Sequence, residues 1–236
     1  SLSIDYYDKT TKDQLLALPV PDIVGLFNNP VDSKLGGDPL FNAGEVKNQG
    51  IEFMAGYRKK EGRLKYDIGI NVTYNKNEVI KLGEGVEPIY AGNFQGAFIS
   101  RTDVGLPIAS FYGYETNGLF GQEDDTNGDG IVDNQPTYTD ENGEEQLMQP
   151  FAAPGDIRFV DQNGDGKLNL DDKTKIGSPH PNLTYGFNLG MTYKNFDLSL
   201  FLQGVRGNDI FNTTIYDLMG GNRTNYHVDI LDSYRA

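Results

Sequence analysis

Residues 183–205, LTYGFNLGMTYKNFDLSLFLQGV, decide the fold. Leu183, Tyr185, Phe187, Leu189, Met191 and Tyr193 alternate with Thr184, Gly186, Asn188, Gly190 and Thr192. In an extended chain successive side chains point to opposite faces, so this is one apolar and one polar face. After the short KNFD (194–197), Phe196, Leu198, Leu200, Leu202 and Gly204 oppose Asp197, Ser199, Phe201 and Gln203. The spacing predicts two antiparallel strands joined by a tight turn.

The same period recurs upstream. In KYDIGINVTYN (65–75), Tyr66, Ile68, Ile70, Val72 and Tyr74 oppose Asp67, Gly69, Asn71, Thr73 and Asn75. GIEFMAGY (50–57) sets Ile51, Phe53, Ala55 and Tyr57 against Glu52, Met54 and Gly56, and SLSIDYY (1–7) begins alike. A soluble sandwich also alternates. Three details favour a transmembrane barrel. The segments run to roughly 10 residues, the length a tilted strand needs to cross a bilayer. The polar face is rich in Gly, Asn, Thr and Asp, which suits a wet lumen. Tyrosines 57, 66, 74, 185 and 193 stand near strand ends, where an aromatic girdle lies.

The expected architecture is therefore all-β: an antiparallel transmembrane β-barrel segment with strands at 1–12, 46–59, 64–80, 183–194 and 196–211. RKKEGRLK (58–65) and KNFD are tight connections. Those from Asp13 to Glu45 and across 81–182 are long, as is the segment after Asn212. Short turns on one side and long loops on the other is the asymmetry of outer-membrane barrels. Region 81–182 is expected to be a long, acidic, extracellular loop region, since an excursion of that size does not suit a compact soluble domain.

Composition narrows the function. The chain has 236 residues, no cysteine, two histidines and a formal charge of -14. Disulfides and thiol chemistry are excluded, and a zinc site is improbable. Nucleic acid is an unsuitable partner for so acidic a chain. Between Glu123 and Asp172 stand 14 acidic residues against only Arg158 and Lys167, so this segment holds 12 of the 14 net charges. SLSIDYY reads as strand rather than as a signal peptide, so any targeting segment is expected to lie outside this sequence.

Two acidic stretches have calcium-loop spacing. In DQNGDGKLNLDD (161–172), Asp161, Asn163 and Asp165 fall at positions 1, 3 and 5 and Gly166 at the sharp turn. Lys167 offers its carbonyl at 7, Asn169 sits at 9 and Asp172 at 12, with Asp171 a competing ligand. In DTNGDGIVDNQP (125–136), Asp125, Asn127, Asp129 and Asp133 fit positions 1, 3, 5 and 9. Pro136 takes position 12 there, so a carboxylate must come from elsewhere, such as Asp140 or Glu141. Asn-Gly and Asp-Gly are also plain turn formers. Neither loop is flanked by the helix pair a calcium sensor needs. A Ca2+ ion here is expected to be a structural clip between a short strand at 156–160 and irregular chain at 173–183.

The PGDIRFVDQNGDGKLNLDDKTKIGSPHPNLTYGFNLGMTYKNFDLSLFLQGVRGNDIFN stretch (154–212) resembles the SusC/RagA family, the TonB-dependent outer-membrane transporters of Bacteroidetes. NAGEVKNQGIEF (42–53) and ISRTDVGLPIASFYGYETNGLF (99–120) are two further signatures in matching order. The resemblance covers nearly the whole chain and is weakest in the acidic stretch near 122–146. It implies a plugged barrel of about 22 strands, of which this chain carries about five. The plug domain, the TonB-contacting segment and the terminal strand are expected to lie outside this excerpt. It also implies import of glycans or oligopeptides across the outer membrane, a SusD-like surface lipoprotein as partner, and TonB acting through the N-terminal part. The rival reading is a soluble, secreted, calcium-stabilised β-domain that binds glycan or protein.

No catalytic constellation is present: no GxSxG, no HExxH and no phosphate loop. His180 stands between Pro179 and Pro181, which fix an extended backbone before the strand at 183. Tyr90, Phe94, Phe98, Phe111, Tyr112, Tyr114 and Phe120 are candidate sugar-stacking aromatics, or simply the packing of the loops.

Overall fold

The computed structural model describes residues 1–17, 40–83, 88–220 and 228. They fall into two units, Ser1–Ser110 with Gly177–Asp209, and Phe111–Ile176 with the segment from Ile210.

The first unit is built on a five-stranded antiparallel sheet. Its strands, in spatial order, are β1 (Leu2–Ala17), β2 (Leu40–Lys59), β3 (Leu64–Lys81), β12 (Leu183–Tyr193) and β13 (Phe196–Arg206). β12 lies directly beside β3, with Leu183 opposite Tyr74 and Tyr193 opposite Leu64. The chain therefore leaves the sheet after β3 and returns to the neighbouring position.

Register aligns the apolar residues of all five strands on one face. Leu189 sits between Ile68 and Leu200, and Phe187 between Ile70 and Leu202. Ile70 continues to Ala55 and on to Leu2, and Val72 to Phe53 and Ile4. Ile4 is 67 % exposed and Phe196 78 %, with Leu198, Leu200 and Leu202 also exposed. A contiguous apolar surface of this extent is a liability in water and a match for hydrocarbon. On the same face the Tyr185 ring lies over Gly204, where an added Cβ would come within 2.3 Å of the phenol oxygen. An aromatic covering a strand glycine in this way shields the backbone it exposes.

The opposite face is mostly polar and internally bonded, although Met54, Phe201 and Val205 also lie on it. The Tyr7 hydroxyl donates to Asn75 Oδ1 at 2.9 Å and Asn77 Nδ2 to Asn48 Oδ1 at 3.0 Å. Arg58 pairs with Asp67, and the Thr192 hydroxyl donates to Asp197 Oδ1 at 2.6 Å.

β12 and β13 each have 11 residues, enough to cross a bilayer. β2 has 20 and β3 has 18, so both project beyond the crossing at the end opposite the turns. There Val46, Val79 and Leu82 are buried, with Ile89 and Ile108 packed on them. The strap 103–108 is laced to β3: Val79 N donates to Leu106 O, Gly105 N to Val79 O, and Ile108 N to Asn77 Oδ1. Between β3 and the strap runs a hairpin, β4 (Ile89–Phe94) and β5 (Ala97–Thr102). Gln95 and Gly96 turn it with positive φ, as two-residue hairpins require.

Several boundaries differ from the sequence expectation. β1 continues past Lys12 to Ala17 because a bulge, with Asp13 at φ 55°, absorbs the break in alternation. β2 begins at Leu40 rather than 46, pairing with that extension of β1. The rest of the expected connection from 13 to 45 lies outside the described residues. The last strand ends at Arg206 rather than 211, where Gly207 turns to φ 84°.

The second unit collects short elements: β6 (Ser110–Tyr114), β7 (Thr116–Leu119), β8 (Thr137–Thr139), β9 (Glu145–Leu147), β10 (Ile157–Phe159), β11 (Lys173–Gly177) and α1 (Thr213–Gly220). β10 pairs with β7, β8 with β9, and β11 lies beside β6. Residues 173–177, expected to be irregular, form β11, because alternating Lys-Thr-Lys-Ile finds a neighbouring strand. Phe120, Val132 and Ala152 form the small buried core.

An arginine at Leu189, in a full-length barrel reconstituted in bilayers, should cost roughly 2–4 kcal/mol if the site is near the midplane. An arginine at Asn188 should cost far less. Denaturant titration of the two variants checks this, and equal costs would contradict the assignment of the faces.

Candidate functional site

The sequence-predicted ligands lie in the second unit, on two turns with one hydrogen-bond pattern. The Asp161 carboxylate accepts from Gly164 N and Gly166 N, both at 2.7 Å. The Asp125 carboxylate accepts from Gly128 N at 2.8 Å and Gly130 N at 2.9 Å. Asn163 Oδ1 accepts from Asp165 N, and Asn127 Oδ1 from Asp129 N. Asp165 Oδ1 accepts from Lys167 N, and Asp129 Oδ1 from Ile131 N. Gly128, Gly130, Gly164 and Gly166 all have φ between 75° and 89°. Gly166 is required twice over, since a Cβ there would stand 2.2 Å from the Thr137 carbonyl oxygen.

The second halves of the loops differ. Asp172, at 0 % exposure, accepts from Gln162 N at 3.0 Å and Asn169 N at 2.8 Å. Both its oxygens therefore cap backbone donors. Asn169 Oδ1 accepts from Asp171 N, capping the 3-10 turn Leu170–Asp172. In the other loop Asp133 holds Thr126 through its N–H and hydroxyl, and holds the Asn127 amide. Asp140, the candidate replacement for position 12, accepts from Glu144 N, Asn142 N and Gln146 Nε2 and closes the β8–β9 hairpin. The Lys167 ammonium lies 4.9 Å from the Tyr138 ring centre. Among the described residues, no three acidic or histidine side chains converge as metal ligands. In both loops the side-chain oxygens at positions 1, 3 and 5 accept backbone N–H groups of the turn, and in 161–172 Asp172 at position 12 does the same.

A further anchor was not legible in the sequence. Asp124, 3 % exposed, accepts from Gly121 N at 2.8 Å and Asn134 Nδ2 at 2.8 Å, and pairs with Arg158. Arg158 also lies 4.7 Å from the Phe120 ring centre. The one arginine in the acidic segment was the available signal. The Gly121 N–H, then the Asn134 amide and Arg158, hold the Asp124 carboxyl below its ordinary pKa against the effect of burial. Asp140 is lowered likewise, first by the Glu144 N–H. Carboxylates saturated by backbone donors are stabilised as anions and unsuited to general acid work.

His180 braces the strap, its Nε2 lying 3.0 Å from the Ile108 carbonyl oxygen. Of the candidate stacking aromatics, Phe120 is buried in the core and presents no platform. Tyr90 packs with Phe98, Phe111 with Phe211, and Tyr114 with Phe159.

Residues 1–142 match the family described as TonB dependent receptor-like, beta-barrel. The chain is similar to the TonB-dependent receptor P3 of Formosa agariphila, 30% identical over 238 residues, covering 99% of this chain and 21% of the relative. It is similar to the TonB-dependent receptor SusC of Bacteroides thetaiotaomicron, 28% identical over 234 residues, covering 99% and 20%. Among solved structures, the RagAB peptide transporter aligns with a TM-score of 0.66 at 22% identity, covering 99% of this chain and 22% of that one. The chain spans about a fifth of the length of these relatives.

A carboxyl whose pKa is lowered on folding adds stability that is complete above its unfolded value and lost as pH falls through its folded value. Asp124 and Asp140 should therefore hold the second unit ordered at neutral pH and release it below about pH 4. Limited proteolysis between 111 and 176 across that range checks this. Cleavage independent of pH would contradict it.

Proposed function

Because the chain belongs to the TonB-dependent receptor-like β-barrel family of the outer membrane, whose named relatives are receptors rather than enzymes, we propose that it forms wall and external loops of a SusC-like importer. The cargo in this reading is a glycan or oligopeptide, taken up with a SusD-like lipoprotein and driven by TonB through the rest of the protein. The observation that carries it is the two-faced sheet with sided connections. Tight turns join β2 to β3 and β12 to β13 at one end, and the excursion from Leu82 to Asn182 leaves from the other. In this reading the tight turns face the periplasm and the long connections face outward. The exposed apolar face speaks against the soluble, secreted alternative, which would leave that surface in water.

A structural calcium ion at Asp161, Asn163, Asp165 and the Lys167 carbonyl is part of the proposal. The shared turn geometry supports it. With Asp172 capping backbone donors, few charged ligands remain, so the affinity belongs to the weak class of roughly 10⁻⁴–10⁻³ M.

Two experiments test these readings. Uptake of a panel of glycans and oligopeptides, by cells with and without the gene, should show one class lost on deletion and lost again when the proton gradient is collapsed. Uptake that survives the collapse would indicate a passive pore and contradict the reading. Terbium luminescence sensitised by Tyr138 should appear at millimolar ion, be displaced by calcium, and vanish in Asp161→Ala with Asp165→Ala. Absence of signal in the wild type would leave 161–172 as an unmetallated turn.

A further inference from the structure

Four Asn-Gly pairs stand in the second unit: Asn117-Gly118, Asn127-Gly128, Asn142-Gly143 and Asn163-Gly164. A backbone can modify itself at such a pair, because glycine has no side chain to hinder the approach of its own nitrogen. The glycine nitrogen attacks the asparagine Cγ. The new N–Cγ bond displaces Nδ2, which leaves as ammonia with the glycine amide proton. Water then opens the cyclic imide, at the side-chain carbonyl to give aspartate or at the main-chain carbonyl to give isoaspartate. Water is the only co-reactant.

The four pairs share their setting. All are exposed, each glycine has φ between 75° and 84°, and a Cβ added at any of the four glycines would meet nothing within 4 Å. They differ in what holds the attacking N–H. Gly128 N donates to Asp125 Oδ1 at 2.8 Å, and Gly164 N to Asp161 Oδ1 at 2.7 Å. Gly143 N donates to the Asp140 carbonyl oxygen at 3.0 Å. In the two acidic loops the electrophile is held as well, since Asn127 Oδ1 and Asn163 Oδ1 accept from Asp129 N and Asp165 N. Gly118 is placed otherwise. The ladder between β7 and β10 pairs Leu119 with Ile157 and Thr116 with Phe159, and steps over Asn117 and Gly118. Among the described residues no side chain accepts from Gly118 N, and the Asn117 amide has no partner. A carboxylate on the glycine N–H opposes the reaction twice. Its hydrogen bond must break before the nitrogen can turn to Cγ, and its charge disfavours the amide anion that attacks.

We propose that Asn117 is the site at which this segment modifies itself, through a cyclic imide to aspartate and isoaspartate, while Asp125 and Asp161 guard Asn127 and Asn163 against the same reaction. The same two carboxylates also hold Gly130 N and Gly166 N, at 2.9 and 2.7 Å. These belong to Asp129-Gly130 and Asp165-Gly166, where cyclisation would proceed with loss of water. One carboxylate per loop thus shields two labile bonds, a role for the repeated turn that needs no metal. At position 117 the product carries one added negative charge and, as isoaspartate, one added backbone methylene. Both fall where the ladder already skips two residues.

The test incubates the full-length protein in mildly alkaline buffer. A chelator is present throughout, so that the calcium proposed above plays no part. Each Asn-Gly peptide is followed by mass spectrometry, with fragmentation that separates aspartate from isoaspartate. Asn117 should convert at least about tenfold faster than Asn127 and Asn163, the ratio set by one hydrogen bond to a charged acceptor. In urea the three should convert alike, because only local sequence then acts. Asp161→Ala should speed conversion of Asn163 about tenfold and leave Asn127 unchanged, and Asp125→Ala should do the reverse. An Asn117 no faster than the other two in the folded protein, or a difference that persists in urea, would overturn the assignment of the site. No acceleration in either variant, or acceleration at both loops by either one, would overturn the guarding role, the latter by showing a general loosening of the unit.

Discussion

The ladder between β3 and β12 is the joint on which the structure depends. It closes the sheet across the excursion from Leu82 to Asn182, setting Tyr74 against Leu183 and Leu64 against Tyr193. In a hydrocarbon environment each strand must satisfy its backbone through its neighbours, because no water is available to do so. That requirement fixes which strand lies beside which. The period of two then fixes the faces: a slip of one residue would send Leu189 to the lumen and Asn188 to the lipid. With the register set, the strap 103–108 meets the end of β3, and Val46, Val79 and Leu82 gain a cover.

The acidic unit obeys a different economy. Among its described residues it has little buried apolar material, essentially Phe120, Val132, Ala152 and Met148. Its order comes from carboxylates and amides that accept backbone N–H groups, at Asp124, Asp125, Asp140, Asp161, Asp165 and Asp172. Charge-assisted bonds of this kind are stronger than neutral ones. The abundance of Asp in the segment is thus a source of turn order, and a large part of the negative charge is anchored rather than free. The cost is mutual repulsion, which a single arginine, Arg158, relieves at the buried Asp124.

Much of the sheet was legible in the sequence because lipid and water impose opposite demands on alternate residues. Leu189, Ile70 and Leu200 declare their face one by one, without knowledge of their neighbours. The bulge at Asp13, the strand at 173–177 and the extension of β2 to Leu40 were not legible, since each depends on a partner distant in sequence. The calcium-loop spacing was equally visible, yet spacing says nothing of where a side chain turns. Asp172 sits at the twelfth position in sequence and caps Gln162 and Asn169 in space. The Asp124–Arg158 pair escaped for a similar reason: fourteen acids stand in one segment, and burial, which singles out Asp124 and Asp172, is a property of the fold.

The central claim is that one face of β12 meets lipid and the other water. This segment lacks cysteine, so a single cysteine placed in it has no native competitor within the segment. Spin labels at positions 187 to 192 of the full-length barrel in bilayers would report collision with oxygen, which partitions into lipid, and with a water-soluble nickel chelate. Labels at 187, 189 and 191 should respond to oxygen, and those at 188, 190 and 192 to nickel, with a period of two. Uniform access of nickel to all six positions would contradict the membrane-spanning account.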